Sequence, residues 1–273
     1  MFLIEPSLKS EMTKPQLIFE KLATPRKTTW FSRPRLLSIL EISLATCTST
    51  ILTSRAGTGK TTLAADFAYK CGRPAAWYKV DAPDGDLTAF FSYLTACIRQ
   101  KRPSFGSQRL VELFENSGDE HATLLADSFV YELLESGSEP LFVVIEDLHL
   151  VCDSGWVVPF FSRLLPLLPT EIHVLITSRT MPPAPLWRMR SKQTLTVLDE
   201  ETLSFTRQEA IEFFESYGLS AEEACIAFDH THGRASALAS FAATLQLSMR
   251  RNGSTGKGIG SKGEVPRSGE PNE

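Results

Sequence analysis

The segment Thr50-Ile51-Leu52-Thr53-Ser54-Arg55-Ala56-Gly57-Thr58-Gly59-Lys60-Thr61-Thr62 constrains this chain more than any other stretch. A β-branched run passes through two glycines and a lysine into an apolar helical pattern at Leu63, Ala64, Phe67 and Ala68. That order of strand, loop and helix is what a phosphate-binding loop requires. Glycines let the backbone turn so tightly that successive N–H groups face one anion, the helix adds its positive end, and a lysine adds a full charge. The predicted nucleotide contacts are therefore Ser54, Arg55, Ala56, Gly57, Thr58, Gly59, Lys60, Thr61 and Thr62, with the Thr61 hydroxyl placed for Mg²⁺. The strict pattern has glycine at position 54, where this chain has Ser54. Lys60 is expected to have no structural partner other than the phosphates. In the tail, Gly253-Ser254-Thr255-Gly256-Lys257 has a similar composition but neither a preceding strand nor a following apolar helix, so it reads as linker.

Leu141-Phe142-Val143-Val144-Ile145 reads as a strand covered on both faces, as in a parallel sheet flanked by helices. Glu146 and Asp147 follow at its C-terminal end, where ligands of such sheets sit. One carboxylate there can hold the water shell of a metal and another can orient attacking water. Glu146 is accordingly assigned to the metal together with Thr61, and Asp147 to catalysis. Glu146 is a methylene longer than the usual aspartate. Ile172 to Ser178 reads as another strand, and Arg179 at its end could reach a γ-phosphate. His149, close behind Asp147, is read as satisfying local hydrogen bonds rather than as a catalytic group.

At 273 residues with 42% hydrophobic content, the chain can bury a sizeable core. A net charge of −4 gives no electrostatic footprint for non-specific nucleic-acid binding. Cys47, Cys71, Cys97, Cys152 and Cys225 are odd in number and lack C-x-x-C spacing, which argues against a disulfide framework or a zinc site. The apolar run at the N-terminus is too brief for a signal peptide, and no run reaches the ~20 residues of a membrane span. These features predict a cytoplasmic protein with no membrane partner.

The predicted organisation is an N-terminal arm over 1–30, a nucleotide-binding domain over 31–200, a partial helical domain over 201–249 and a disordered tail over 250–273. Strands are expected at 75–80 and 194–198, and helices at about 121–136 and 156–168. Asp86 is expected to cap a helix, with Asp81 and Asp84 as turn formers. Residues 102–120 are polar and give no clear element. From Thr206 the period is helical throughout: Thr206 with Glu209 forms a capping box, Ser220 with Glu223 repeats it, and a third helix runs from Ala235 to about Leu247. Half of the residues from Asn252 to Glu273 are Gly, Ser or Pro, a composition that does not order itself.

In series, Lys21-Leu22, Pro25-Arg26, Arg33-Pro34-Arg35-Leu36-Leu37, Ala56 to Thr62, Ala76-Trp77-Tyr78, Glu146-Asp147-Leu148-His149-Leu150, Thr177-Ser178-Arg179 and Leu203-Ser204-Phe205-Thr206 carry a resemblance. The chain resembles the maltose-regulator-like branch of the STAND signal-transduction ATPases over residues 20–247, a branch that includes LuxR-type transcriptional regulators. The resemblance implies a P-loop NTPase domain of AAA-like type, with a parallel five-stranded sheet in the order 5-1-4-3-2 and a small α-helical domain after it. It also implies a switch between ADP and ATP with Mg²⁺ as cofactor, Arg33 and Arg35 near the base or ribose, and Arg179 near the γ-phosphate. Arg55 stands where the family usually has proline, and Gly233-Arg234 where a Gly-Trp pair is common. Family members continue into winged-helix, sensor and often DNA-binding domains. Sensing and specific DNA binding are therefore not expected of this chain alone, which would work as a homo-oligomer or with partner chains carrying those domains.

Three functions fit these residues: a regulatory ATPase module of slow turnover, a non-hydrolysing nucleotide-dependent interaction module or degenerate fragment, and a P-loop kinase acting on a small molecule.

Overall fold

Alternate residues of each strand reach opposite faces, so a strand that is apolar throughout must be covered twice. The computed structural model describes residues 17–26, 31–181, 183–187 and 194–255. Its strands are β1 (Ser49–Thr53), β2 (Ala75–Lys79), β3 (Leu141–Glu146), β4 (Ile172–Ser178) and β5 (Leu195–Leu198). Of these, β1, β3 and β4 are buried along their whole length, while β2 ends on an exposed Lys79 and β5 is half-buried at Thr196 and Val197. All pairings are parallel and the order is β2-β3-β4-β1-β5, which is the order that the resemblance implies and the arrangement of a P-loop NTPase.

The helices are α1 (Pro34–Thr46), α2 (Lys60–Lys70), α3 (Leu87–Arg99), α4 (Gln108–Glu115), α5 (Ala122–Glu135), α6 (Val157–Leu164), α7 (Ala184–Trp187), α8 (Glu200–Leu203), α9 (Arg207–Ser216), α10 (Ala221–Thr231) and α11 (Ala235–Thr255). Val143, Ile145, Val174 and Ile176 face a core shared with Phe90, Phe91, Phe129, Trp156 and Phe160 of the α3 to α6 layer. Phe142, Val144 and Leu175 face the other core, with Leu36, Leu40, Leu63 and Phe67 of α1 and α2. Each fully buried phenylalanine contributes about 1.5–3 kcal/mol of transfer free energy. A register slip of one residue in β3 would exchange the two sets.

Helix α4 lies in the stretch that composition left open. Ser107 caps it by accepting the Leu110 N–H at 3.3 Å, and Leu110 and Phe114 are its buried anchors. The Phe114 ring stacks on Phe91 at 4.1 Å between centroids. With only eight residues, the helix presents too few apolar positions for its period to stand out.

Of the predicted arm, residues 17–26 are described, and 1–16 and 27–30 lie outside the described residues. A 3-10 turn at Phe19–Leu22 buries Lys21 and Leu22 beside β2. The Lys21 ammonium meets Asp84 Oδ1 at 2.7 Å and lies 4.0 Å from the centroid of Tyr93. Asp84 is 2% exposed and also accepts the Asp81 N–H at 2.9 Å, so it holds a buried cation as well as forming the turn. Asp86 caps α3 through the Ala89 N–H.

The chain divides into two compact units, one through Leu203 and one from Ser204. In the second unit both predicted capping boxes are present, at Thr206 and Glu209 and at Ser220 and Glu223. Gly218, at φ 73°, follows the end of α9. Gly233, at φ 75°, lets its carbonyl accept the Phe205 N–H, and a Cβ there would stand 2.3 Å from the Phe205 oxygen. Helix α11 continues to Thr255, past the expected end near Leu247 and into the predicted tail. Residues 256–273 of that tail lie outside the described residues. Among the described residues no helix is long and apolar enough to cross a membrane.

Candidate functional site

Strand β1 lies between β4 and β5, so the loop that leaves its C-terminal end is flanked by a strand on either side. The Ser54 N–H continues the ladder to Ser178 O at 3.3 Å. Gly57 and Gly59 then take left-handed backbone, φ 83° and 88°, the conformation that a side chain disfavours. Ser54 does not, which explains why serine is accommodated there. Its hydroxyl bonds Thr58 Oγ1 at 2.5 Å and ties the two ends of the loop together. Helix α2 begins at Lys60 with no side-chain cap, leaving its first N–H groups for an anion.

A cavity of about 230 Å³ opens over this loop. Its walls are Ala56, Gly57, Gly59, Lys60, Thr61 and Thr62 from the loop and α2, Asp147 from the end of β3, and Arg179 from the end of β4. Residues from three separate segments thus surround one space. The side chain of Lys60 departs from expectation. It is not partnerless: Nζ donates to Ser54 O at 2.5 Å and Arg55 O at 2.9 Å. A lysine only 7% exposed has to find acceptors, and the carbonyls of its own loop are nearest. Burial lowers its pKa, opposed by Asp147 and reinforced by Arg179, with Glu200 also opposing.

The Thr61 hydroxyl donates to Glu146 Oε1, and the Trp77 indole donates to Glu146 Oε2 at 3.2 Å. Two adjacent hard oxygen donors are the set that Mg²⁺ takes from a protein when phosphates and water complete its shell. Among the described residues no group of three or more His, Cys, Asp and Glu that could hold a metal ion is present. The longer side chain of Glu146 lets it reach both Thr61 and Trp77.

Asp147 has φ 60°, an uncommon conformation for a residue with a Cβ, and its N–H is held by Thr177 Oγ1 at 2.9 Å. Its carboxylate approaches His149 Nδ1 at 3.8 Å, beyond hydrogen-bond reach. His149 therefore departs from the reading that it satisfies local bonds: Nδ1 is buried and has no hydrogen-bond partner among the described residues. Burial pushes the His149 pKa below the ordinary histidine value, opposed by Asp147 and reinforced by Arg179 and Lys60.

Arg33 and Arg35 are not brought to this cavity. Arg33 Nη1 donates to Leu203 O at 2.6 Å and Arg35 Nη1 to Thr202 O at 3.0 Å, so both grip the carbonyls of α8. Arg55 also turns to α8, donating from Nε to Glu200 Oε1 at 2.8 Å and from Nη2 to the same oxygen at 2.5 Å. Glu200 was not among the predicted site residues. The arginine in place of the family's proline was the one sign that the loop has an additional partner.

No protein-family model matches the chain. Among curated proteins it is 30% identical over 246 residues to the HTH-type transcriptional regulator MalT of Serratia proteamaculans (strain 568), which covers 88% of this chain and 26% of that protein. It is 31% identical over 168 residues to the protein of the same name from Cronobacter sakazakii (strain ATCC BAA-894), 60% of this chain and 18% of that one. The chain thus spans about a quarter or less of the length of these relatives. Solved structures that align with it include the Walker-type ATPase PABY2304 of Pyrococcus abyssi, with a TM-score of 0.48, 12% identity and coverage of 85% and 75% of the two chains. The replication initiator DnaA bound to AMPPCP and single-stranded DNA aligns with a TM-score of 0.43 and 13% identity, covering 81% and 63%.

Proposed function

Starting from a chain whose sequence matches a stretch of maltose-regulator-type transcription regulators, we propose that it is an ATP- and ADP-binding regulatory module of STAND type, with Mg²⁺ as cofactor. The observation that carries this is the convergence of the Gly57 and Gly59 turn, Lys60, Thr61, Asp147 and Arg179 on one cavity. In this reading the loop amides and Lys60 take the β- and γ-phosphates, while Thr61 and Glu146 hold the metal, partly through water. Arg179 meets the γ-phosphate, and Arg33 and Arg35 lie toward the base and ribose. The five free cysteines suit a reducing cytoplasm.

Lys60→Ala is expected to weaken ATP and ADP binding about ten- to hundredfold, the worth of charge-assisted bonds of roughly 1.5–3 kcal/mol. The bonds of Lys60 to Ser54 and Arg55 reduce that figure toward its lower end, because nucleotide must first draw the ammonium off two carbonyls. Titration with a fluorescent nucleotide measures the loss, and unchanged affinity would refute the loop assignment.

A non-hydrolysing module is the second reading, favoured by one observation: both oxygens of Glu146 already accept hydrogen bonds. Steady-state hydrolysis separates the two. The switch reading expects a slow rate that Asp147→Asn lowers about tenfold or more while ATP affinity is retained. If turnover is absent from the parent protein, the second reading stands.

A further inference from the structure

We propose that Glu200 is an internal competitor for the phosphate loop: an acid that tunes nucleotide affinity by holding the Ser54–Arg55 segment, and through it Lys60, in a conformation that phosphates must displace. The inference rests on the reading of the loop as a nucleoside-polyphosphate site.

Three observations support it. First, the Glu200 carboxylate accepts Arg55 as an anionic ligand would. Oε1 takes Nε at 2.8 Å and Nη2 at 2.5 Å, while Oε2 takes Nε at 3.1 Å and the Arg55 backbone N–H at 3.3 Å. A planar guanidinium beside a main-chain N–H is a geometry that suits phosphate equally well. Second, the carbonyl of that same Arg55 accepts the Lys60 ammonium at 2.9 Å, next to Ser54 O at 2.5 Å. The acid and the lysine thus grip the two ends of one residue, so fixing one end steadies the other. A phosphate that recruits Lys60 has to break both of its carbonyl bonds while Glu200 keeps the segment in place. Third, the backbone that carries the acid is held in place. Glu200 opens α8, where the Asp199 side chain holds the Thr202 N–H at 2.9 Å and Arg35 and Arg33 hold the carbonyls of Thr202 and Leu203.

The Arg55 side chain is 74% exposed and that of Glu200 35%, so the pair exchanges readily and adjusts affinity rather than blocking the site. The charge of Glu200 also acts against each added phosphate, which makes the effect larger for ATP than for AMP.

The test is nucleotide titration of the full chain with a fluorescent ATP analogue, comparing the parent with Glu200→Gln, Glu200→Ala and Lys60→Ala at about 0.05 and 0.3 M salt. Both Glu200 variants are expected to bind about two- to fivefold tighter at low salt, the range set by an exposed ion pair, and the gain should shrink at high salt. Equal or weaker binding by Glu200→Gln, with binding lost in Lys60→Ala, overturns the competitor and leaves the nucleotide reading intact. Parental affinity in Lys60→Ala overturns the nucleotide reading itself. If the Glu200 variants do not fold, hydrogen exchange on the parent decides: protection of 199–203 should fall when ATP is added, and constant or rising protection overturns the proposal.

Discussion

Asp84→Ala is expected to lose more stability than the double variant Lys21→Met with Asp84→Ala, by several kcal/mol. Asp84 and Lys21 are 2% and 6% exposed, and removing one member of a buried pair leaves the other charge uncompensated at a cost of about 3–5 kcal/mol. The remaining acid, Asp81, is 3.6 Å from the ammonium and half exposed, too weak a partner to replace Asp84. Removing both charges avoids the penalty, since an apolar side chain of similar length fits against Tyr93. Urea unfolding of the two variants gives the comparison. Because Lys21 lies on a short turn at the sheet edge, hydrogen exchange over 17–26 should show where the loss falls. A single variant no less stable than the double would mean that the pair contributes nothing.

Stability is also expected to fall by about 3 kcal/mol between pH 6.5 and about 4, through His173 alone. The ring is 1% exposed inside the sheet, where Nδ1 lies 3.0 Å from Cys47 O and Nε2 lies 2.9 Å from Thr50 Oγ1. A carbonyl can only accept, so Nδ1 carries the proton and Nε2 accepts from Thr50, whose oxygen in turn accepts from Ser43 at 2.7 Å. A second proton, on Nε2, would set two donors against each other in a site that excludes water. Burial, aided by the charge of Arg73, pushes the pKa down to about 4 against the pull of the Cys47 bond. The unfolded chain therefore binds this proton at higher pH than the folded one. The stabilisation is complete above the unfolded value and is lost as pH falls through the window. Denaturant midpoints across this range, compared with those of His173→Gln, isolate the contribution. An equal pH slope in the variant would assign the loss to other groups.

What the sequence made legible was local. The phosphate loop, β3, β4 and the caps at Asp86, Thr206 and Ser220 each rest on residues within a few positions of one another. What it hid was non-local or too short to show a period. Glu200 meets Arg55 across 145 positions, and Lys21 meets Asp84 across 63, spacings that no helical or strand pattern encodes. Arg33 and Arg35 were expected near the base or ribose from the resemblance alone, and the acceptors they have here, the Leu203 and Thr202 carbonyls, have no signature in a sequence. The bonds of Lys60 to its own loop were missed for a related reason. A buried ammonium must have acceptors, yet its burial is known only once the fold is.

The strand order has a consequence for the time at which the site comes into being. Strand β1, from which the phosphate loop hangs, pairs with β4 and β5, and both are made more than 100 residues later than β1 itself. As the chain leaves the ribosome, β2 and β3 can join first, while the middle of the sheet waits with its edges open. Every residue of the loop has been synthesised long before anything holds it in shape. A nascent or cleaved chain that stops short of Leu195 would contain the whole motif and lack one wall of the frame around β1.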